Sequence, residues 1–263
     1  MKKTLIALAV AASAAVSGSA MAWTANGPGG SINLGGTLTP KESVSPWEVQ
    51  VGSASALDAV VKAGQKDIVI KVGSAKPFLG IRNDKVDGFI GGGLGVISTI
   101  DYGKAVDLKG FKDSVTTLTL DVKNASGDKI GTLSAPFFAA AIASYMGADG
   151  VHHGSQMAAS ASGNAFFGGL PLTGAATAQN GQVAYSRIAA LSTDYMWNLP
   201  RIASWGNVDL DEKFGDQKNT YWGVYGGGLE KGADITITLD KAINTGDAPI
   251  AWKASLPVIV TYS

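Results

Sequence analysis

Trp23-Thr-Ala-Asn-Gly-Pro-Gly-Gly-Ser-Ile-Asn-Leu-Gly-Gly-Thr-Leu-Thr-Pro40 is the stretch on which the architecture turns. Ile32, Leu34 and Leu38 share one parity, with Gly36 between them, while Ser31, Asn33, Gly35 and Thr37 occupy the other. A period of two with one apolar face is the pattern of a β-strand. A Gly- and Pro-rich leader precedes it and Pro40 follows. Two placements are open. The segment is either the first edge strand of its own sheet or a strand donated to the open edge of another subunit. In the second case the main chain supplies the pairing and alternate side chains enter a groove. Burying three large aliphatic side chains would contribute roughly 5 to 9 kcal/mol gross, before the cost of ordering the strand.

Upstream of this segment, Met1-Lys2-Lys3 is basic, Thr4 to Val16 is mostly Leu, Ala, Val and Ile, and Ala20-Met21-Ala22 puts small residues where a signal peptidase reads. Residues 1–22 are expected to be an export signal cleaved between Ala22 and Trp23. A membrane anchor would need about 20 strongly apolar residues, and this run is interrupted by Ser13, Ser17, Gly18 and Ser19. Removal leaves 241 of the 263 residues, with 19 basic against 21 acidic side chains.

Downstream, the same period recurs. Trp47, Val49 and Val51; Ile68, Ile70 and Val72; Leu118, Leu120 and Val122; Ile235, Ile237 and Leu239; and Val258, Val260 and Tyr262 each alternate with other residues. Turn signals at Gly73–Pro77, Asn124–Asp128 and Asn244–Asp247 separate them. An all-β sandwich with hairpin and Greek-key connections fits. From about 139 to 232 the pattern changes to short segments rich in Gly, Ala, Ser and aromatics, which is expected to be an insertion. Within it, Ile188, Leu191 and Tyr195 are spaced as one face of a helix over Ser186 to Asn198, ended by Pro200.

Composition removes several chemistries. The chain has no cysteine, which excludes disulfides, thiolate nucleophiles, iron–sulfur clusters and cysteine zinc sites. Its 21 basic and 21 acidic residues balance, and scattered Lys and Arg do not make the stripe that nucleic-acid binding needs. His152 and His153 are neighbours that point opposite ways on an extended chain, so they are expected to be a solvated loop pair and not a metal grip. Gly91-Gly92-Gly93-Leu94-Gly95 lacks the Lys and Ser/Thr of a phosphate loop and reads as a turn. Asp209-Leu-Asp211-Glu212 lacks the remaining ligands of a calcium loop and reads as a solvated acidic turn. No GxSxG elbow is present. The expectation is therefore no enzyme, no metal and no cofactor.

The insertion is dense in aromatics. Sugars offer C–H faces that stack on such rings, and loops on a rigid scaffold are common sites for them. Tyr145, Phe166, Trp205 and Trp222 are the candidate glycan contacts, with His153, Asn164 and Arg201 as polar companions.

At this point the residues resemble a known family. The Met1–Ala9 leader, the start at Trp23, the Gly30-Ser-Ile-Asn-Leu-Gly-Gly-Thr-Leu38 run and Pro46-Trp-Glu-Val-Gln-Val-Gly52 are similar to Fae-type, K88-like major fimbrial subunits. These are the kappa-class chaperone/usher pilins of enterotoxigenic Escherichia coli. Lys76–Gly80, Asp101-Tyr102, Val122–Gly127 and the ending Val258-Ile-Val-Thr-Tyr-Ser263 are similar too, whereas the stretch from Ala139 to Lys231 departs from the family pattern. The resemblance implies an incomplete immunoglobulin-like sandwich with an inserted, partly helical subdomain, completed by donor-strand exchange. A periplasmic chaperone would fill the gap first, and the 23–40 extension of the next identical subunit would replace it after an outer-membrane usher. Residues 41–263 would form the pilin domain, Val258, Val260 and Tyr262 its last strand, and the insertion would bind a host glycan. The protein would then reside in a fimbrium at the cell surface. A minor or tip subunit, a monomeric secreted sugar-binding protein and a secreted hydrolase are the alternatives.

Overall fold

A computed structural model of the chain describes residues 45–53, 57–147 and 149–263. The leader with the Ala22–Trp23 junction, and the strand carrying Ile32, Leu34, Gly36 and Leu38, lie outside the described residues. In chain order the elements are β1 (Trp47–Val51), β2 (Gln65–Lys71), β3 (Lys76–Asn83), β4 (Phe89–Ile90), β5 (Ser98–Asp101), β6 (Val115–Asn124), β7 (Lys129–Met146) and β8 (His152–Ala158). They continue with α1 (Gly181–Leu191), β9 (Ser204–Trp205), β10 (Asp209–Leu210), β11 (Thr220–Leu229), β12 (Asp234–Ile243), β13 (Trp252–Lys253) and β14 (Ile259–Tyr262). The fold is all-β, antiparallel in its main ladders and immunoglobulin-like, with one α-helix among the described residues.

Three of the five expected alternations become strands with the expected inward faces. Ile68 and Ile70 of β2, Leu118 and Val122 of β6, and Ile235, Ile237 and Leu239 of β12 are all buried in one core with Leu79, Ile81, Phe137 and Tyr225. The Asn124–Asp128 turn joins β6 to β7. Its Asp128 N–H donates to Asn124 Oδ1 at 2.9 Å, and Gly127 takes the φ of +93° that favours glycine.

β7 is 18 residues long and is paired differently along its two halves. Its first half pairs β6 from Lys129 to Phe138 and β12 from Gly131 to Ser134. Its second half pairs β11 from Phe138 to Tyr145 and β8 from Ile142 to Met146. One strand thus joins the β6 and β12 ladders to the β8 and β11 ladders. In the second half both faces are covered: Ala139, Ala141 and Ala143 enter the main core, while Phe138, Ala140 and Ile142 enter a second core with Ala184, Ile188 and Leu191 of α1.

This corrects the expected limits of the insertion. The change in composition at Ala139 falls inside β7, and the glycines of 223–228 lie inside β11, which pairs both β3 and β7. The physical reason is double burial, since a strand covered on both faces loses its polar alternation. Where a bulky neighbour presses on it, the strand uses glycine: a Cβ at Gly223 would lie 2.6 Å from Trp47, and one at Gly226 would lie 2.8 Å from Ile188. The added layer therefore lies between Met146 and Thr220.

The helix also sits earlier than expected. It starts at Gly181, where the Asn180 side chain accepts the Val183 N–H at 2.9 Å, and it ends at Leu191 before an extended Ser192. A separate 3-10 turn, Thr193–Met196, carries Tyr195. Ile188, Leu191 and Tyr195 are nonetheless all buried in the second core.

Candidate functional site

Among the described residues the carboxy-terminal run forms a sheet edge paired on one side only. From Trp252 to Val260 exposure alternates, and Trp252, Ala254, Leu256, Val258 and Val260 all rest on the main core while remaining only half-buried. β14 pairs β5 with Ile259 opposite Asp101 and Thr261 opposite Thr99. Ile97 and Ser263 exchange both of their main-chain bonds, and Ile100 N–H instead donates to Phe167 O on the other side of β5. In an antiparallel ladder the bonding direction alternates. The main-chain groups of Val258, Val260 and Tyr262 therefore point away from β5, toward an edge with no partner strand among the described residues. Tyr262 is 40% exposed, and burial of the rest of its ring pushes its hydroxyl pKa up. β1 shows the same deficit. Val49 and Val51 share the parity of buried Trp47 yet stay exposed.

The candidate glycan contacts divide. Tyr145 is exposed and stacks on His153 with ring centroids 5.4 Å apart, while His153 Nε2 meets Asp149 Oδ2 at 3.1 Å. Trp205 is half-buried, edge-on to Tyr185 and close over Gly181. Phe166 and Trp222 are corrections. Phe166 is wholly buried among Trp47, Phe214 and Tyr225, and Trp222 is buried with its indole N–H donating to Val86 O at 2.8 Å and His152 against its ring. Neither ring has a face to offer a sugar. The aromatic density that marked them in the sequence supplies the core between the layers.

The polar candidates move as well. Asn164 is buried and donates to Asp211 Oδ1 at 2.6 Å, so it is structural, whereas Arg201 is exposed. His152 and His153 open β8 and are not a solvated loop; they do meet different partners on its two faces. Asp209 to Glu212 is not a solvated turn either. Asp209 lies in β10, Asp211 accepts from Ser160 and Asn164, and Glu212 accepts from the Lys213 and Phe214 main chain. Burial, followed by the neighbouring Glu212 carboxyl, pushes the Asp209 pKa up to about 7. Among the described residues no three His, Cys, Asp or Glu side chains are grouped to hold a metal ion.

One aromatic of the expected insertion was counted with the others but not chosen as a glycan contact. Trp197 is 78% exposed, at the mouth of a cleft of about 690 Å³ between β1, β3 and the 3-10 turn. The sequence marked it only as one ring among the many of that region, which carries no information on depth.

Fold and edge together define a class: an antiparallel immunoglobulin-like sandwich whose carboxy-terminal strand has one unpaired edge among the described residues. A family model described as "Fimbrial, major and minor subunit" matches residues 1–263. The chain is 30% identical to K88 fimbrial protein AC of Escherichia coli over 289 residues, covering 100% of both chains. It is likewise 30% identical to the F41 fimbrial protein of Escherichia coli over 285 residues, again covering 100% of each. The chain belongs to this family of fimbrial subunits, and its place is a fimbrium on the cell surface. The family is one of structural subunits and is not known for catalysis.

Proposed function

We propose that the protein is a major structural subunit that polymerises by donor-strand exchange and attaches to host glycans. After cleavage between Ala22 and Trp23, the 23–40 segment of one subunit adds to the open edge of β14 in the next. A periplasmic chaperone holds that edge beforehand, and an outer-membrane usher is where the exchange occurs. The supporting observation is the half-buried alternation from Trp252 to Val260 beside an edge unpaired among the described residues. Ile32, Leu34 and Leu38 offer large apolar side chains on one parity, with Gly36 between the last two. The added segment between Met146 and Thr220 carries most of the adhesive surface, because strands whose faces make the core and whose edges make subunit contacts are less free to vary. Head-to-tail repetition along a filament converts weak single sites into firm attachment.

Deletion of residues 23–40 tests the assembly step. The truncated subunit should co-purify with its chaperone and form no filaments. In the full chain Ile32→Asp or Leu34→Asp should also block assembly, since an unpaired carboxylate in the groove costs several kcal/mol, whereas Asn33→Asp should not. Filaments from the truncated subunit would overturn donor-strand exchange through this segment.

A further inference from the structure

We propose that the cleft between the outer face of β1 and β3 and the 3-10 turn after α1 is a binding subsite for a neutral oligosaccharide, with the Trp197 indole as its stacking platform. This rests on the glycan-adhesion reading above and names a place for it that none of the candidate rings occupies.

Strand parity sets the floor. Trp47 points inward, so Glu48 and Gln50 point outward, and the β1–β3 register puts Arg82 opposite Glu48 and Gly80 opposite Gln50. The wall is held firmly. Arg82 Nε and Nη2 reach Glu48 Oε2 at 2.9 and 2.8 Å, while its Nη1 donates to the Asp194 carbonyl at 2.6 Å, fastening the turn to the sheet. Gly80 leaves the space into which the Tyr195 ring packs. On the far side, Asn198 Nδ2 donates to the Asn83 carbonyl at 2.7 Å in a buried contact.

Tyr195, Met196 and Asn198 are thus buried, yet Trp197 between them is turned out to solvent from a fixed backbone. A large ring held outward beside a concave, polar-lined cleft can stack on the C–H face of a sugar. Three polar side chains converge beside it. Glu48 and Asp194 present carboxylates that accept hydrogen bonds from sugar hydroxyls, and the exposed Gln50 amide engages no partner among the described hydrogen bonds. The volume of about 690 Å³ lies in the range of small-ligand sites. One guanidinium against two carboxylates leaves the cleft net negative, so a pyranose without an acid group fits and an anionic sugar is repelled. A pyranose C–H face covers the indole, and its hydroxyls meet the carboxylates and the amide.

The test uses intact fimbriae made from wild type, Trp197→Ala and Gln50→Ala, applied to an array of neutral and sialylated oligosaccharides and to host epithelial cells. Wild-type fimbriae should bind neutral chains, with no gain from a terminal sialic acid. Trp197→Ala should weaken binding at least about tenfold, and Gln50→Ala, which breaks no described hydrogen bond, should weaken it less. Filament yield should be unchanged for both. Wild-type binding that survives both substitutions overturns the subsite and leaves adhesion elsewhere on the subunit standing. Wild-type fimbriae that bind neither array nor cells overturn the adhesive reading and the subsite together. Failure of Trp197→Ala subunits to form filaments makes the indole a subunit contact, and the proposal falls.

Discussion

Arg187 is the side chain whose loss should most loosen the added layer. From the middle of α1 it sends Nε and Nη2 to the two carboxylate oxygens of Glu230, just past β11, at 2.8 and 2.7 Å. Its Nη1 donates to the Asp113 carbonyl at 2.7 Å, and the guanidinium lies 4.3 Å from the centre of the Phe138 ring. One group thereby ties the helix to β11, to the approach to β6 and to β7. Removing one partner of a fully buried pair costs about 3 to 5 kcal/mol. The Glu230 side chain is 34% exposed, so water can recover part of its solvation. Arg187→Met keeps an apolar stem over Phe138 and should therefore cost about 2 to 3 kcal/mol. If α1 opens as a local unit, its amides should exchange roughly 30- to 150-fold faster in assembled fimbriae. Glu230→Gln keeps a neutral acceptor and should have a smaller effect. Hydrogen exchange read by mass spectrometry on peptides covering Gly181–Leu191 is the assay. Exchange within about threefold of wild type for Arg187→Met would refute the reasoning, because the anchoring would then reside in the Ile188 and Leu191 contacts alone.

Two further outcomes follow from buried polar groups. Tyr102 and Tyr225 join hydroxyls at 2.8 Å, and Tyr225 also donates to the Gly169 carbonyl at 3.3 Å. Tyr225→Phe strands the Tyr102 hydroxyl and should cost about 1 to 3 kcal/mol, while Tyr102→Phe leaves Tyr225 bonded and should cost about 0.5 to 1.5; urea unfolding that ranks them the other way contradicts the assignment. Asp209 has its pKa raised in the fold from its ordinary 3.8 to about 7, so the folded form holds a proton that the unfolded chain releases. Its contribution to stability is fully present below about pH 4 and is lost as pH rises toward 7. Calorimetry of fimbriae across that window should show a shallower decline for Asp209→Asn, and equal slopes would count against the buried carboxyl.

Legibility in the sequence followed exposure. Ile68 and Ile70, Leu118 and Val122, and Ile235 to Leu239 were readable because their strands have one wet face, which stamps a period of two on the chain. The second half of β7 and all of β11 were not, since α1 covers the face that would otherwise be polar, and alanine and glycine there mark close approach instead of a loop. The helix was found but displaced, because its Asn180 cap was overlooked and Tyr195 was counted into it across Ser192. Among the candidate rings, Tyr145 is exposed and Phe166 is not, although both are aromatics in a glycine- and alanine-rich region. Depth depends on which distant strands converge, such as β1 bringing Trp47 over Phe166, and no local pattern encodes that. Trp197 was passed over for the converse reason.

The shared strand β7 has a consequence for how firmly the chain is aligned. Along 138–143 odd residues serve one core and even residues the other. A slip of a single position would push Phe138 and Ile142 toward the space made for alanines and leave alanines facing α1, spoiling both interiors at once. An ordinary sheet with one wet face would suffer that error only once. The misaligned alternatives are therefore disfavoured from two directions, and the longest strand is held in register by two interiors independently.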